Sequence, residues 1–318
     1  MLVLNAEQIR ALAPTPRLIE ALQRTFRAGG LTTVRTPTPM PGGAADRLFV
    51  SMLAMDQTGG AVIKLLTILP ENRAKGLLTV QGAIVVFSTT GLPVAILDGT
   101  VVTHLRTGAA SALASQFLSR KDSAHLVIVG TGALAPTMAA SHCAVRPIKR
   151  ISVWGRRAEQ ASVTAQTIRE RVSSDVDVVA IPDLLEQTVA NADIVACSTS
   201  SPTPILRGKW LRPGTHIDLV GSFQPTKRES DDDVVLRSRI FVDTFHGALH
   251  EGGDVVEPLS RGVITRESIE GELADLASGR VSGRVKDDEI TLFKSVGTAI
   301  EDLAAARLIV EAAGGQLS

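Results

Sequence analysis

Residues 126–140, LVIVGTGALAPTMAA, join a short apolar strand to a run of helix formers through two glycines one residue apart. A strand that leaves through bare backbone into a helix limits the fold of this chain more than any other feature. Gly130 lets the backbone turn sharply, Gly132 lets a diphosphate approach with no side chain in the way, and Ala135 keeps the next helix close to the sheet. Amides of the first helical turn then face the phosphate charge. Alone, a GxGxxA turn serves equally well as a structural bend, so its neighbours decide. Downstream, ISVWG, VDVVA, ADIVACSTS, THIDLVG, RIFVDT and EITLFK are short apolar runs, separated by EQASVTAQTIRE, PDLLEQTVA and the polar helix SIEGELADLA. Strands alternating with helices predict βαβ units, hence a doubly wound parallel sheet from about residue 120.

The residues before it follow another rhythm. Thr15 as cap and Pro16 in the first turn predict a helix through RLIEALQRTF, with Leu18, Leu22 and Phe26 on one face. TTVRTPTPMPGG, residues 32–43, reads as a proline-rich loop that carries Arg35. RLFVSMLAM, GAVIKLLTILP, GAIVVFST and LPVAILDG predict strands of a mixed or antiparallel sheet, and a helix of small residues from about Thr103 closes the unit. TAIEDLAAARLIVEAA, from Thr298, reads as a long amphipathic helix that either ends the second domain or returns to the first. The expected fold class is α/β, a central Rossmann-type NAD(P)-binding domain plus a mixed α/β domain.

Thirty-three basic residues balance thirty-three acidic ones, tyrosine is absent and aromatics total 3%. Neither a polyanion partner nor a base-stacking surface fits that composition, so no nucleic acid partner is expected. The apolar stretches are broken before the about 18 residues of a membrane span, and MLVLNAEQIR lacks the pattern of a secretion signal. Cys143 and Cys197 show neither disulfide nor zinc spacing, and a reducing cytosol is the expected setting. His104, His125, His142, His216, His246 and His250 are scattered and form no ligand triplet, so no metal site is expected. Small-molecule chemistry remains.

Strand ISVWG ends in Arg156 and Arg157, where an acidic residue would bind the ribose hydroxyls of NAD. Arginine there suits the extra phosphate of NADP, which makes NADPH the preferred donor and NADH the second; the alternative is a solvated pair opening a surface helix. Lys64, inside VIKLL, is a charge on an apolar strand that must reach solvent, a partner or a ligand.

Arg35 in its proline-rich loop, IKLLTILPEN around Lys64, GLLTVQG, LDGTVVTHLRTGAASALA around Arg106, the GTG turn, HIDLVGSFQPTKRES and DEITLFKSVGTAIEDLAAA together resemble the ornithine cyclodeaminase and mu-crystallin family over nearly the whole chain. HIDLVGSFQPTKRE with FVDTFHGALHEGGDVVEPLSRGVI is similar to its bacterial reductases of cyclic ketimine acids, which make L-proline or L-pipecolate and are associated with breakdown of trans-3-hydroxy-L-proline. The resemblance implies a substrate-binding and homodimerisation domain over residues 1–119, completed by 297–318, and an NAD(P)-binding domain over 120–296. It implies that Arg35, Lys64 and Arg106 hold or line the site of a substrate carboxylate and that Val296 flanks it. Thr79 would lie near the nicotinamide. Gly130, Gly132, Ala133, Leu134, Arg156 and Arg157 would contact the dinucleotide, with Asp218, Leu219, Val220, Gly221 and Ser222 in the loop beside its nicotinamide. Cyclodeaminases carry an aspartate where this chain has Phe223, and a phenyl ring accepts no proton, so ornithine cyclisation is disfavoured.

The expected reaction is reduction of delta-1-pyrroline-2-carboxylate, and of its six-membered homologue delta-1-piperideine-2-carboxylate. Arginine offers a planar fork to the carboxylate and lysine a point charge, so carbon 2 meets the hydride-bearing face of the nicotinamide. Lys64 either supplies the imine proton or only anchors the carboxylate, and Ser222 could add a hydrogen bond near the imine or carboxamide. The rival readings are an alanine or N-alkyl amino acid dehydrogenase acting on open-chain imines, ornithine cyclodeaminase, and a mu-crystallin-like protein that binds without turnover.

Overall fold

The computed structural model describes residues 1–42 and 47–317. Contacts divide the chain into two units, Met1–Arg106 with Thr298–Ser318, and Thr107–Gly297.

The first unit is built on strands β1 (Leu2–Leu4), β2 (Leu31–Thr32), β3 (Thr36–Pro39), β4 (Leu48–Met55), β5 (Ala61–Ile68), β6 (Val80–Phe87) and β7 (Pro93–Asp98). They form one mixed sheet in the order β1-β7-β6-β5-β4-β2, with β3 also pairing β4; only β1 and β7 run parallel. Helices Ala6–Leu12, Thr15–Ala28 and Ala299–Ala312 belong to the same unit. Strand alternation sends Val50, Met52, Ala54, Val62, Leu66, Ile84 and Val86 into the core, and helix Ala299–Ala312 packs on β4, β5, β6 and helix Thr15–Ala28. The opposite face carries Phe49, Leu53, Ile63, Leu65, Val85 and Phe87, which are half-buried or exposed.

Several local expectations change here. Thr15 is the first helical residue and not the cap, which is Pro14 without a side-chain bond. The proline-rich stretch is a loop only in part. Pro37 and Pro39 sit in the edge strand β3, where a residue without an N–H costs no ladder bond on the open side. Gly43, the last residue of that expected loop, lies outside the described residues. The helix of small residues begins at Gly99, before Thr103, because Asp98 accepts the Val101 N–H at 3.0 Å. Its last turns are bonded within the second unit: Leu118 O accepts from Arg284 Nε at 2.7 Å and Thr291 Oγ1 at 2.8 Å, and Ser115 O from Arg146 Nη2 at 2.7 Å. These bonds draw the division to Arg106 and Thr107, inside the helix, where the sequence suggested residues 119 and 120.

The second unit contains β8 (His125–Val129), β9 (Arg150–Trp154), β10 (Asp177–Ala180), β11 (Ile194–Cys197), β12 (His216–Leu219), β13 (Arg239–Val242), β14 (Ile269–Glu272) and β15 (Thr291–Lys294). All pair in parallel, in the order β10-β9-β8-β11-β12-β15-β13-β14. Two core clusters, one around Val127, Val195 and Ile217 and one around Leu126, Ile128 and Ile151, bury this doubly wound sheet. SIEGELADLA is not one helix. Ile269 and Gly271 point inward at strand period, and Glu272 with Asp275 then forms a capping box that opens helix Leu273–Ser278.

Candidate active site

In the first unit the site is a cluster of buried charges. Lys64 sits mid-strand on the core face of β5 and is 1% exposed. Its Nζ lies 2.6 Å from Asp302 Oδ2. Arg106 reaches the same helix, with Nη1 2.5 Å from Glu301 Oε2 and Nε 3.2 Å from Asp302 Oδ1. Arg35 is half-buried and close enough that its charge helps lower the Lys64 pKa. Two cations therefore meet two carboxylates, with a third positive charge, that of Arg35, close enough to act on Lys64.

The charges tune one another. Burial pulls the Lys64 ammonium down to about 8 against the pull of Asp302, with Arg106 and Arg35 lowering it further. Burial also works against the Arg106 guanidinium, but Glu301 and Asp302 outweigh it and hold its pKa above the ordinary value. Lys64 thus loses its proton around pH 8, well below an ordinary lysine, while Arg106 stays charged.

Glu301 and Asp302 are the functional residues that sequence reasoning missed. They stand in the first turn of helix Ala299–Ala312, where acidic residues are ordinary partners of the helix dipole. Both are fully buried, as is most of that helix, so the expected amphipathic pattern is absent. The signal lay in the remainder, since a helix apolar on all sides has no solvent face for two acids. Thr79, half-buried, precedes β6 and fixes the preceding loop by accepting the Leu69 N–H at 2.8 Å.

In the second unit the site is made of backbone. β8 is the first strand of its sheet, and successive strands run away from it on either side, so the crevice at its carboxyl end beside β11 is the topological switch point. Gly130 turns there with φ of 125°, and a Cβ on it would lie 2.8 Å from Ser198 O. Gly132 and Ala133 are exposed, Leu134 is half-buried, and a Cβ on Gly132 would meet nothing nearer than Ser198 O at 4.0 Å. Helix Ala135–Cys143 starts beyond them with no side-chain cap; the Ala135 N–H is taken by Gly132 O at 3.1 Å and Pro136 has none, so an anion here would meet the amides of the turn at residues 131–134. The cradle fits a diphosphate. Arg156 and Arg157 follow β9, are exposed and make no ion pair among the described residues.

The loop after β12 is held from inside. Asp218 is fully buried and meets His142 Nε2 at 3.2 Å, which ties β12 to helix Ala135–Cys143. Leu219 and Val220 are buried, and the Ser222 hydroxyl donates to Lys227 O. Gly221 is packed so closely that a Cβ would collide with the Thr199 backbone, and its N–H donates to Glu229 Oε2 at 2.7 Å. Val296 is buried in the segment after β15, and its N–H donates to Asp243 Oδ2 at 2.8 Å. No group of three or more metal-ligating side chains occurs among the described residues, and no helix there is long and apolar enough to cross a membrane. Cys143 and Cys197 are free thiols.

A parallel switch-point sheet with a glycine cradle in one unit, and a cluster of buried charges in the other, describe an α/β protein with a dinucleotide-type site. The chain belongs to the ornithine cyclodeaminase/mu-crystallin family, whose model matches residues 1–316. It is 36% identical over 321 residues to a delta(1)-pyrroline-2-carboxylate reductase of Colwellia psychrerythraea, across 98% of this chain and 99% of the relative. Among solved structures it resembles the Thermococcus litoralis delta(1)-pyrroline-2-carboxylate reductase in complex with NADH and L-proline, at a TM-score of 0.93 and 32% identity over 99% of both chains. An archaeal alanine dehydrogenase dimer with bound NAD aligns at a TM-score of 0.89 and 28% identity, over 98% of this chain and 96% of that one.

Proposed function

We propose that this chain is an NAD(P)H-dependent reductase that converts delta-1-pyrroline-2-carboxylate to L-proline and delta-1-piperideine-2-carboxylate to L-pipecolate. The observation that carries the reading is the buried cluster of Lys64, Arg106, Glu301 and Asp302 with the Arg35 charge beside it, which gathers the ammonium and guanidinium donors that suit a carboxylate ligand. The Thermococcus litoralis reductase in complex with NADH and L-proline supports it, through likeness over 99% of both chains.

Arg106 and Arg35 hold the carboxylate, and Val296 flanks the ring. Reduced nicotinamide, when bound, would supply the hydride that carbon 2 receives. Lys64 gives its proton to the imine nitrogen as the C=N bond becomes a C–N bond, and burial favours the neutral amine left behind. Gly130, Gly132, Ala133 and Leu134 would hold the diphosphate, while Thr79 and the loop of residues 218–222 would border the nicotinamide. Arg156 and Arg157, exposed and unpaired, favour NADPH over NADH through the adenosine phosphate. The apolar sheet face with Phe49, Leu53, Ile63 and Leu65 is the surface on which two copies pair, in keeping with the archaeal dimer. The setting is the cytosol.

A second reading, reduction of open-chain imines, is favoured by the likeness to alanine dehydrogenase. One assay separates the two: loss of NADPH and NADH absorbance with each cyclic ketimine, and with pyruvate plus ammonia or methylamine. Turnover of the cyclic ketimines is expected, faster with NADPH, and Arg156→Glu should weaken NADPH use alone. Turnover confined to the open-chain mixtures contradicts the substrate, and equal loss with both cofactors contradicts the role of Arg156.

A further inference from the structure

Glu229, near the end of the HIDLVGSFQPTKRES stretch, has been given no role above, yet its side chain is fully buried. One carboxylate oxygen accepts the Thr199 N–H at 2.6 Å and the other accepts the Gly221 N–H at 2.7 Å. Thr199 follows β11 and Gly221 follows β12, so a single side chain clamps two neighbouring strand-end loops. The loop at Thr199 is also the wall behind the glycine turn, because a Cβ on Gly130 would meet Ser198 O at 2.8 Å and Thr199 Cγ2 at 3.2 Å. Glu229 is itself fixed in place. Its N–H donates to Asp254 Oδ1 at 2.8 Å, its carbonyl accepts from Ile205 and Leu206, and Lys294 Nζ reaches Asp254 Oδ2 at 3.1 Å.

We infer that Glu229 is a positioning residue for the dinucleotide: its carboxylate sets the two loops that border the cofactor, and its protonation loosens them. The inference rests on reading the second unit as the dinucleotide site. A charged carboxylate accepts both N–H groups, whereas a protonated one has turned one oxygen into a donor and can serve only one of them well. The groups facing it are Lys294 from β15, Asp254 from helix Gly253–Ser260 and Cys197 from β11. Cys197 stays a neutral thiol, pushed well above its ordinary value by burial and by the Glu229, Asp254 and Asp218 charges. Lys294 pairs directly with Asp254 at 3.1 Å, while the Glu229 carboxylate is bonded by backbone N–H groups. Burial raises its pKa to about 7, with Lys294 opposing, Asp254 adding to the rise, and the Thr199 and Gly221 N–H bonds opposing.

The sign of the effect follows. The clamp is complete above about pH 7 and is lost as pH falls through it, so the affinity for dinucleotide declines in the same window. Bound dinucleotide in turn holds Glu229 ionised.

The test is the dissociation constant of NADH, followed by nicotinamide fluorescence without any imine between about pH 6 and about pH 8.5; NADH is used because the extra phosphate of NADPH titrates near pH 6 itself. Wild type should bind about tenfold more weakly at the acidic end, the loss of one charge-assisted hydrogen bond. Glu229→Gln, which keeps one acceptor and turns an amide donor toward the other N–H, should bind NADH at every pH about as weakly as acidified wild type. Wild-type affinity in the variant, or the wild-type slope in it, overturns the inference. If the variant melts before it can be titrated, the wild-type curve decides alone, and a flat curve overturns the inference. A chain with the expected NADH profile that reduces no ketimine contradicts the proposed reaction and leaves Glu229 in its role. A chain that reduces ketimines with flat NADH binding does the reverse.

Discussion

The two units bury ionic clusters of different balance. In the first, Lys64 and Arg106 pair with Glu301 and Asp302 while the Arg35 charge acts on Lys64 from nearby. In the second, Glu229 and Asp254 outnumber Lys294, and the carboxylates accept backbone N–H groups. In the proposed function the first would recognise an anion by side-chain charge, which an opposite charge can tune. The second would shape loops so that backbone, which carries no titratable group, meets the cofactor. Substitutions should therefore act differently in the two places.

Arg106→Leu should have the largest effect, because it leaves Glu301 and Asp302 buried with too little positive charge. A loss of about 3–5 kcal/mol is expected, read as a lower denaturant midpoint, together with loss of turnover. A variant that keeps wild-type stability would mean that the pairing contributes nothing.

Lys64→Met should be gentler on the fold, since the apolar chain suits the site and Asp302 keeps the Arg106 Nε contact at 3.2 Å. Catalysis should fall by about 10²–10⁴ in kcat/KM, the range for a lost general acid. In wild type, Lys64 loses its proton as pH rises through about 8, so kcat/KM should fall on that side. The substrate's own ionisation appears in both proteins. Only the limb near pH 8 should vanish in the variant, and an identical profile would remove Lys64 as the acid.

The glycines of the cradle give the smallest changes in stability and separate fold from binding. Gly130→Ala forces a side chain into positive φ against Ser198 O and should cost about 1–3 kcal/mol. Gly132→Ala meets open space, so the midpoint should hold while NADH affinity drops. Equal affinity for NADH in Gly132→Ala and wild type would place the diphosphate elsewhere.

Much of this was legible in the chain because it rests on local pattern. The strand, glycine turn and helix at residues 126–140 are set by apolar run length and bare backbone, and Lys64 stood out as a charge on an apolar strand. Other features depend on what packs against a segment. Glu301 and Asp302 look like ordinary first-turn acids until helix Ala299–Ala312 is seated on β5. Glu229, in a polar stretch of sequence, shows no sign of burial until Thr199 and Gly221 close around it. Pro37 and Pro39 suggest a loop because strand propensity takes no account of which edge of a sheet is open.

The most direct test of the central claim is a crystal structure with NADH and a flat, unreactive acid such as pyrrole-2-carboxylate, measuring where the carboxylate rests. It should lie within hydrogen-bonding distance of the Arg106 guanidinium, with Lys64 Nζ near the ring nitrogen and the nicotinamide facing carbon 2. A carboxylate bound away from Arg35, Lys64 and Arg106 would contradict the account.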